Sequence, residues 1–185
     1  TYQVPIGCYN DILKFADEST KIEDIRVEVP CNDYTTSMQL REYQQLAVNE
    51  ALEYKNGIIE MFAGAGKTHT GLYLSYLSGQ KTLWITHTID LLNQASERVL
   101  EHSHNIHVSY ITDGNLDLSG DIVFATVQTL YRMLDSSIID KRAFGMVIID
   151  ECHRISINAN SMNMFRKCCD YFSSKYKIGL TATLH

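Results

Sequence analysis

Short apolar segments alternate with helical segments through most of this 185-residue chain. Both prolines, Pro5 and Pro30, precede residue 31, so no proline interrupts regular structure beyond that point. Strands are predicted at 58–62, 82–86, 108–111, 122–126, 146–150 and 176–181, and helices at 40–54, 68–77, 89–100, 127–134 and 161–172. This alternation predicts an α/β fold in which helices cover both faces of a parallel sheet, a three-layer α/β/α domain.

A phosphate-binding loop is predicted directly after the first of these strands. Backbone N–H groups of small residues can curl around phosphate oxygens, and the helix that follows adds its N-terminal dipole. Lys67 would reach the β- and γ-phosphates, and the Thr68 hydroxyl would coordinate Mg²⁺. The strict pattern has a glycine where this chain has Met61. The loop itself comprises Ala63, Gly64, Ala65, Gly66, Lys67 and Thr68.

Two acidic residues follow one another at the end of the strand predicted at 146–150. Ligands of parallel α/β sheets bind beyond the carboxyl ends of the strands, where the phosphate loop also lies. Asp150 is therefore a candidate Mg²⁺ ligand, and Glu151 is a candidate general base for an attacking water. Solvated acids at a strand end are common in isolation, but phosphate chemistry with Mg²⁺ needs such groups.

These residues carry a family resemblance. Over about residues 38–185 the chain resembles the first RecA-like P-loop NTPase domain of superfamily 2 helicases and translocases, with the motifs in the family's order. Residues 150–153 form a DECH version of the DEAD/DEAH box, and 40–44 are similar to the L-R-x-Y-Q element whose glutamine recognises adenine. Restriction-enzyme motor subunits, XPB-like enzymes and phage helicases look most similar. The resemblance implies ATP and Mg²⁺ as cofactors, Arg41 and Gln44 in nucleotide binding, and catalysis by Lys67, Asp150, Glu151 and His153.

A nucleic-acid track is also implied by the resemblance. Motifs Ia and Ib of the family contact the sugar-phosphate backbone of one strand, and such contacts position a strand without reading its sequence. The matching residues here are Thr86, His87, Thr88, Thr126, Val127 and Gln128. Thr88 and Thr126 are alternatively helix N-caps. Motif III is present as Thr181-Ala182-Thr183, in which Thr181 and Thr183 would couple nucleotide state to nucleic-acid binding together with His153.

The family's second RecA-like domain carries motifs IV to VI, including arginines that stabilise charge on the transferring phosphoryl group. The chain lacks an initiator methionine and ends just after an apolar strand, so we expect a fragment that binds nucleotide weakly and hydrolyses it slowly. The function expected for the parent protein is ATP-dependent DNA helicase or translocase. The alternatives are an RNA helicase or nucleic-acid sensor ATPase, a small-molecule phosphotransferase, and a non-catalytic ATP-binding scaffold.

The acidic excess of the chain lies in its first third. Residues 1–60 hold five basic and eleven acidic side chains, whereas 61–185 are neutral overall. The net charge of −6 therefore excludes a uniformly basic nucleic-acid surface but not a local basic groove. Residues 1–36 are predicted as an extension or the tail of a preceding domain, with a helix at 10–16 and a strand at 22–29, and the RecA-like domain is expected at 37–185.

Cysteine usage and hydropathy favour a cytoplasmic protein without a membrane partner. No apolar run approaches the roughly 18 residues of a membrane-spanning helix, and no signal peptide is visible. The five cysteines are irregularly spaced and include no C-x-x-C pair, which is typical of free thiols in a reducing compartment.

Overall fold

The computed structural model describes residues 8–134, 136, 138–154 and 164–182. Within them, six helices and nine strands follow one another along the chain. The helices are α1 (Tyr9–Leu13), α2 (Glu42–Tyr54), α3 (Lys67–Ser78), α4 (Ile89–His102), α5 (Val127–Leu134) and α6 (Met164–Tyr171). The strands are β1 (Thr35–Thr36), β2 (Asn56–Glu60), β3 (Thr82–Thr86), β4 (Ser103–His104), β5 (Val108–Thr112), β6 (Asn115–Leu116), β7 (Ile122–Thr126), β8 (Met146–Asp150) and β9 (Tyr176–Thr181).

Seven strands of the described part form one sheet in the order β2-β9-β8-β3-β7-β5-β6. Neighbouring strands pair in parallel except β6, which pairs antiparallel to β5. The chain reverses between β5 and β6 at Asp113 and Gly114, where Gly114 adopts a φ of 86°. The sheet is therefore mixed, and the predicted parallel arrangement is confirmed for its other six strands.

Each central strand sends alternate side chains to opposite faces of the sheet, as the period of two requires. On one face Trp84, Phe124 and Ile148 pack with apolar residues of α2, α3 and α4. On the other face Leu83 and Val147 and their neighbours pack with α5 and α6. Because both faces are covered, β3 and β8 are buried along their whole length. The predicted three-layer α/β/α architecture is confirmed.

Most predicted elements are present, with ends shifted by a few residues. The strands at 82–86, 122–126, 146–150 and 176–181 and the helix at 127–134 have the predicted bounds. The predicted strand at 22–29 is wrong. Val27 bridges Ser174 and Pro30 bridges Gln80, so this segment touches two separate parts of the chain and has no continuous partner strand. Of the helix predicted at 161–172, residues 161–163 lie outside the described residues, and 164–171 are present as α6.

Residues 24–36 pack against the amino-terminal edge of the main sheet. The Asp24 carboxylate binds both Arg26 and Lys175, the latter at 2.7 Å. The backbone N–H and side-chain amide of Asn32 donate to the buried carboxylate of Asp121 at 2.9 and 2.8 Å. β1 pairs with β4. The boundary between residues 36 and 37 stays a prediction, but the segment before it is anchored by long-range contacts.

Among the helices described, none combines the length and the apolar character that a membrane span requires.

Candidate active site

The carboxyl ends of β2, β8 and β9 bring the predicted phosphate loop and the predicted acidic residues together. The loop leaves β2, and the N–H of Met61 donates to the Thr181 carbonyl of β9 at 2.9 Å. Asp150 is the last residue of β8, and Glu151 follows it. Lys67, the first residue of α3, places Nζ 3.8 Å from Glu151 Oε1. Residues 84 positions apart in the chain therefore form one site.

The loop from Ala63 to Gly66 has the backbone shape of an anion-binding turn. Gly64 and Gly66 adopt φ values of 82° and 85°, which only glycine reaches without strain. The N–H of Ala65 closes the turn by donating to the Phe62 carbonyl at 3.1 Å. The N–H groups of the first turn of α3 have no partner within the helix, and the helix dipole adds positive potential there. Thr68 is the second residue of α3 and is half-buried.

Gln44 lies behind this loop with its side chain buried. Its Oε1 accepts a hydrogen bond from the Arg41 N–H, and its Nε2 donates to the Ala65 carbonyl, both at 2.9 Å. Arg41 and Gln44 also line a cavity of about 230 Å³ beside the loop, together with Gln39, Gly64, Ala65, Gly66 and His69. The two residues predicted for nucleotide binding on the adenine side thus border the phosphate loop.

The Gln44 amide retains hydrogen-bonding capacity on both sides. A glutamine amide has two acceptor lone pairs and two donor hydrogens, and the bonds to Arg41 and Ala65 use one of each. One lone pair and one hydrogen are left, and this is the pair of groups with which a glutamine binds the N6 and N7 positions of adenine.

Burial controls the ionisation of Asp150. Its side chain is almost inaccessible to water, and this desolvation, reinforced by the neighbouring charge of Glu151, raises its pKa to about 6. The Glu151 N–H and the Lys67 ammonium oppose the rise. A buried carboxylate beside a phosphate-binding loop fits a divalent cation, because the cation would compensate the charge that burial disfavours.

Glu151 and His153 connect the acidic motif to β9. Glu151 has a positive φ of 55°, which turns its carboxylate away from the strand direction and towards Lys67 and His153. The His153 Nδ1 lies 3.2 Å from Glu151 Oε2 and 3.1 Å from Thr181 Oγ1. Thr181 therefore contacts the acidic motif through His153, whereas Thr183 lies outside the described residues.

The residues predicted for the nucleic-acid track lie at the carboxyl ends of β3 and β7. Thr86 is fully buried and donates to the Thr88 carbonyl at 3.0 Å. Val127 is fully buried as well, so Thr86 and Val127 have their side chains turned into the domain. His87 and Gln128 face one another, with His87 Nδ1 and Gln128 Nε2 separated by 3.4 Å.

Thr88 and Thr126 act as helix N-caps in the structure. The Thr88 hydroxyl accepts the Leu91 N–H at 3.4 Å, and the Thr126 hydroxyl accepts the Thr129 N–H at the same distance. Both threonines therefore cap helices, as the alternative prediction stated. A cap position does not exclude contact with a phosphate, since the N–H groups of the same helix turn remain directed outwards.

Sequence reasoning left two neighbours of the phosphate loop without a role. Tyr43 donates to the Ala65 carbonyl at 2.9 Å, and His69 lines the cavity beside the loop. Tyr43 lies two residues after Arg41 and directly before Gln44, and this spacing was the only available signal. His69 directly follows Thr68, the last residue of the loop, and no pattern distinguishes it from an ordinary residue of a first helical turn.

Comparisons with known proteins identify the family of this chain. Residues 37–185 match the family model described as type III restriction enzyme, res subunit. The DNA 3'-5' translocase XPB2 of Sulfurisphaera tokodaii is 30% identical over 177 residues, which are 95% of this chain and 38% of that protein. The EcoAI endonuclease subunit, a type I restriction enzyme of Escherichia coli, is 28% identical over 161 residues, 77% of this chain and 19% of that protein.

A solved structure shares the fold. The SWI2/SNF2 ATPase core of Sulfolobus solfataricus, solved in complex with dsDNA, superposes with a TM-score of 0.68 at 20% identity. The match covers 83% of this chain and 34% of that one.

The chain belongs to the family of type III restriction enzyme res subunits. The predicted resemblance to the first RecA-like domain of superfamily 2 helicases and translocases is confirmed. The chain spans less than two fifths of the length of these curated relatives.

Proposed function

We propose that this chain is the ATP-binding motor domain of a DNA helicase or translocase, which couples hydrolysis of Mg²⁺-ATP to movement on nucleic acid. The observation that carries the proposal is the convergence of Lys67, Asp150, Glu151, His153 and Thr181 at one edge of the sheet. Each of these groups has a task in phosphoryl transfer, and the first four are held there by β2, β8 and the turn after β8.

The phosphates would bind to the loop and the start of α3. N–H groups of Gly64, Gly66 and the first turn of α3 would donate hydrogen bonds to the phosphate oxygens, with Lys67 adding a full positive charge. Thr68 and Asp150 would hold Mg²⁺, which supplies charge compensation on the phosphate oxygens when it is bound. The adenine would lie in the cavity beside the loop, where Gln44 offers its remaining acceptor and donor.

Glu151 is positioned to accept a proton from the attacking water. Its carboxylate is half-buried and lies between Lys67 Nζ at 3.8 Å and His153 Nδ1 at 3.2 Å. His153 would hold Glu151 in this orientation and would transmit its position to Thr181 at the end of β9.

DNA is the partner we favour, since the S. tokodaii relative is named a DNA translocase. A strand would run over the ends of β3 and β7, where His87 and Gln128 and the capped helix turns present donors to phosphates. A second RecA-like domain of the parent protein would close the cleft and contribute arginines to it. We place the protein in the cytoplasm, in keeping with its five free thiols.

Calorimetric titration of Mg²⁺-ATP tests the nucleotide site. Lys67→Ala should weaken ATP binding by at least tenfold, because it removes a charge-assisted hydrogen bond worth about 1.5–3 kcal/mol. Lys141→Ala, an exposed lysine distant in sequence from the loop, is the matched control and should bind as wild type does. Equal affinity in the Lys67 variant and the control would refute the site.

The choice between DNA and RNA requires the longer parent protein. Its ATP hydrolysis should be stimulated more by DNA than by RNA of the same sequence and length. Stimulation by RNA alone would favour the RNA helicase alternative, and activity without any nucleic acid but with a small phosphoryl acceptor would favour a phosphotransferase.

A further inference from the structure

The carbonyl oxygen of Ala65 accepts two hydrogen bonds from consecutive residues of α2. Tyr43 Oη and Gln44 Nε2 both lie 2.9 Å from it. Ala65 is 1% exposed, so water does not compete for this oxygen. A carbonyl oxygen has two lone pairs, and α2 therefore occupies both of them.

Arg41 determines the direction of the hydrogen bond from Tyr43. Arg41 Nη1 lies 3.1 Å from Tyr43 Oη, and a guanidinium can only donate. The Tyr43 hydroxyl accepts from Arg41 and must therefore direct its own proton to Ala65. The Arg41 N–H also donates to Gln44 Oε1, so one residue orients both side chains that hold the loop.

The position of the Ala65 carbonyl controls the N–H of the next residue. Ala65 and Gly66 share a trans peptide, in which the C=O and the N–H point in opposite directions. With the carbonyl held towards α2, the Gly66 N–H faces away from α2. A Cβ at Gly66 would lie 2.5 Å from Gln44 Nε2, so the peptide is pressed directly against the side chain that holds it.

We propose that Tyr43 is a positioning residue, which fixes the Ala65–Gly66 peptide so that the Gly66 N–H is directed at the phosphates of the bound nucleotide. This inference rests on the proposed function and deepens it. Tyr43 does not line the cavity beside the loop, so its action on the nucleotide passes through the Ala65–Gly66 peptide. Its effect is confined to the phosphate side of the ligand, whereas that of Gln44 extends to the base.

Tyr43→Phe tests the proposal, because it removes the hydrogen bond to Ala65 and the one from Arg41 and keeps the half-exposed ring. Affinities are measured for Mg²⁺-ADP and for tripolyphosphate, a probe without a base, by displacement of a fluorescent ADP analogue. Both affinities should fall by the same factor, about two- to tenfold for the lost hydrogen bond to Ala65. The ¹H–¹⁵N resonance of Gly66 should move in the ligand-free protein, and the unfolding temperature should stay within about 2 °C of wild type.

Tyr54→Phe is the matched control at the opposite end of α2, where the ring is 71% exposed. It should change neither affinity nor the Gly66 resonance. A loss for ADP alone would show that Tyr43 acts on the base and would overturn the proposal. Unchanged affinities and an unchanged Gly66 resonance in Tyr43→Phe would overturn it as well.

The proposed function fails separately from this inference. It fails when Lys67→Ala binds both probes as tightly as wild type does, whatever Tyr43→Phe shows. If Lys67→Ala loses binding of both probes and Tyr43→Phe retains it, the proposed nucleotide site stands and only the positioning role of Tyr43 is refuted.

Discussion

His153 and Thr181 are joined by a contact of 3.1 Å between Nδ1 and Oγ1, which links the turn after β8 to the end of β9. Thr181 is fully buried, and its carbonyl accepts the Met61 N–H at the start of the phosphate loop. His153 also contacts Glu151. His153 and Thr181 therefore connect Glu151, the candidate general base that follows β8, to the end of β9.

His153→Ala should separate nucleotide binding from its coupling to nucleic acid. In a protein that includes the second RecA-like domain, ATP affinity should stay within about twofold, because His153 is not part of the phosphate loop. Stimulation of ATP hydrolysis by DNA should fall at least tenfold, since the link to Thr181 is lost. Steady-state ATPase assays with and without DNA measure both quantities. The exposed His104 provides the control variant, and equal stimulation in His153→Ala and His104→Ala would contradict the coupling role.

Glu151→Gln should retain nucleotide binding and lose hydrolysis. The amide keeps the size of the carboxylate but cannot accept a proton from water, and general bases contribute about 10²–10⁴ in rate. The turnover number of the parent protein should fall by that factor, while the dissociation constant for ATP changes little. Glu97→Gln on the exposed face of α4 is the control. Turnover above a tenth of wild type would exclude Glu151 as the base.

Asp150→Asn should stabilise the domain in the absence of divalent cations. The pKa of Asp150 is about 6 in the folded chain, against 3.8 as the ordinary value. The folded state therefore binds more protons than the unfolded state between these limits, and wild-type stability falls as the pH rises through this window. At pH 7.5 the variant should gain about 1–3 kcal/mol, because it removes a buried charge.

Urea unfolding from pH 5 to pH 8 with a chelator present measures the Asp150 effect. The stability difference between Asp150→Asn and wild type should grow with pH up to about 7 and then level off. Mg²⁺ should stabilise wild type and not the variant. A difference that is constant over this pH range would show that the charge of Asp150 is not the cause.

Gly71→Ala should destabilise the packing of α3 on the sheet. A Cβ at this position would lie 2.7 Å from Leu180 and 2.8 Å from Trp84, whose indole ring is fully buried. Overpacking costs about 1–3 kcal/mol, against a gain in helix propensity of about 1 kcal/mol. We expect a net loss of up to about 2 kcal/mol in urea unfolding. Gly57→Ala, where nothing lies within 4 Å of the added atom, should change stability by less than about 0.5 kcal/mol.

The local sequence pattern was sufficient to predict the central strands and the two main motifs. The runs of β3, β7 and β8 are short and mostly apolar, which is typical of strands buried on both faces. Lys67 and Asp150 could be assigned because their chemistry depends on residue type and on position at a strand end. The apolar alternation at 22–29 led to a wrong strand prediction, because alternation does not reveal whether a partner strand is available.

The sequence by itself determined the alternation of elements, the phosphate loop and the pair of acids, because each of these is encoded within a few neighbouring residues. Only the tertiary structure decided which side chains meet. Burial at the end of β8 raises the pKa of Asp150, and the packing of α2 behind the loop gives Tyr43 and Gln44 a common acceptor on Ala65. Both effects arise from distances between segments far apart in the chain, and no local pattern contains those distances.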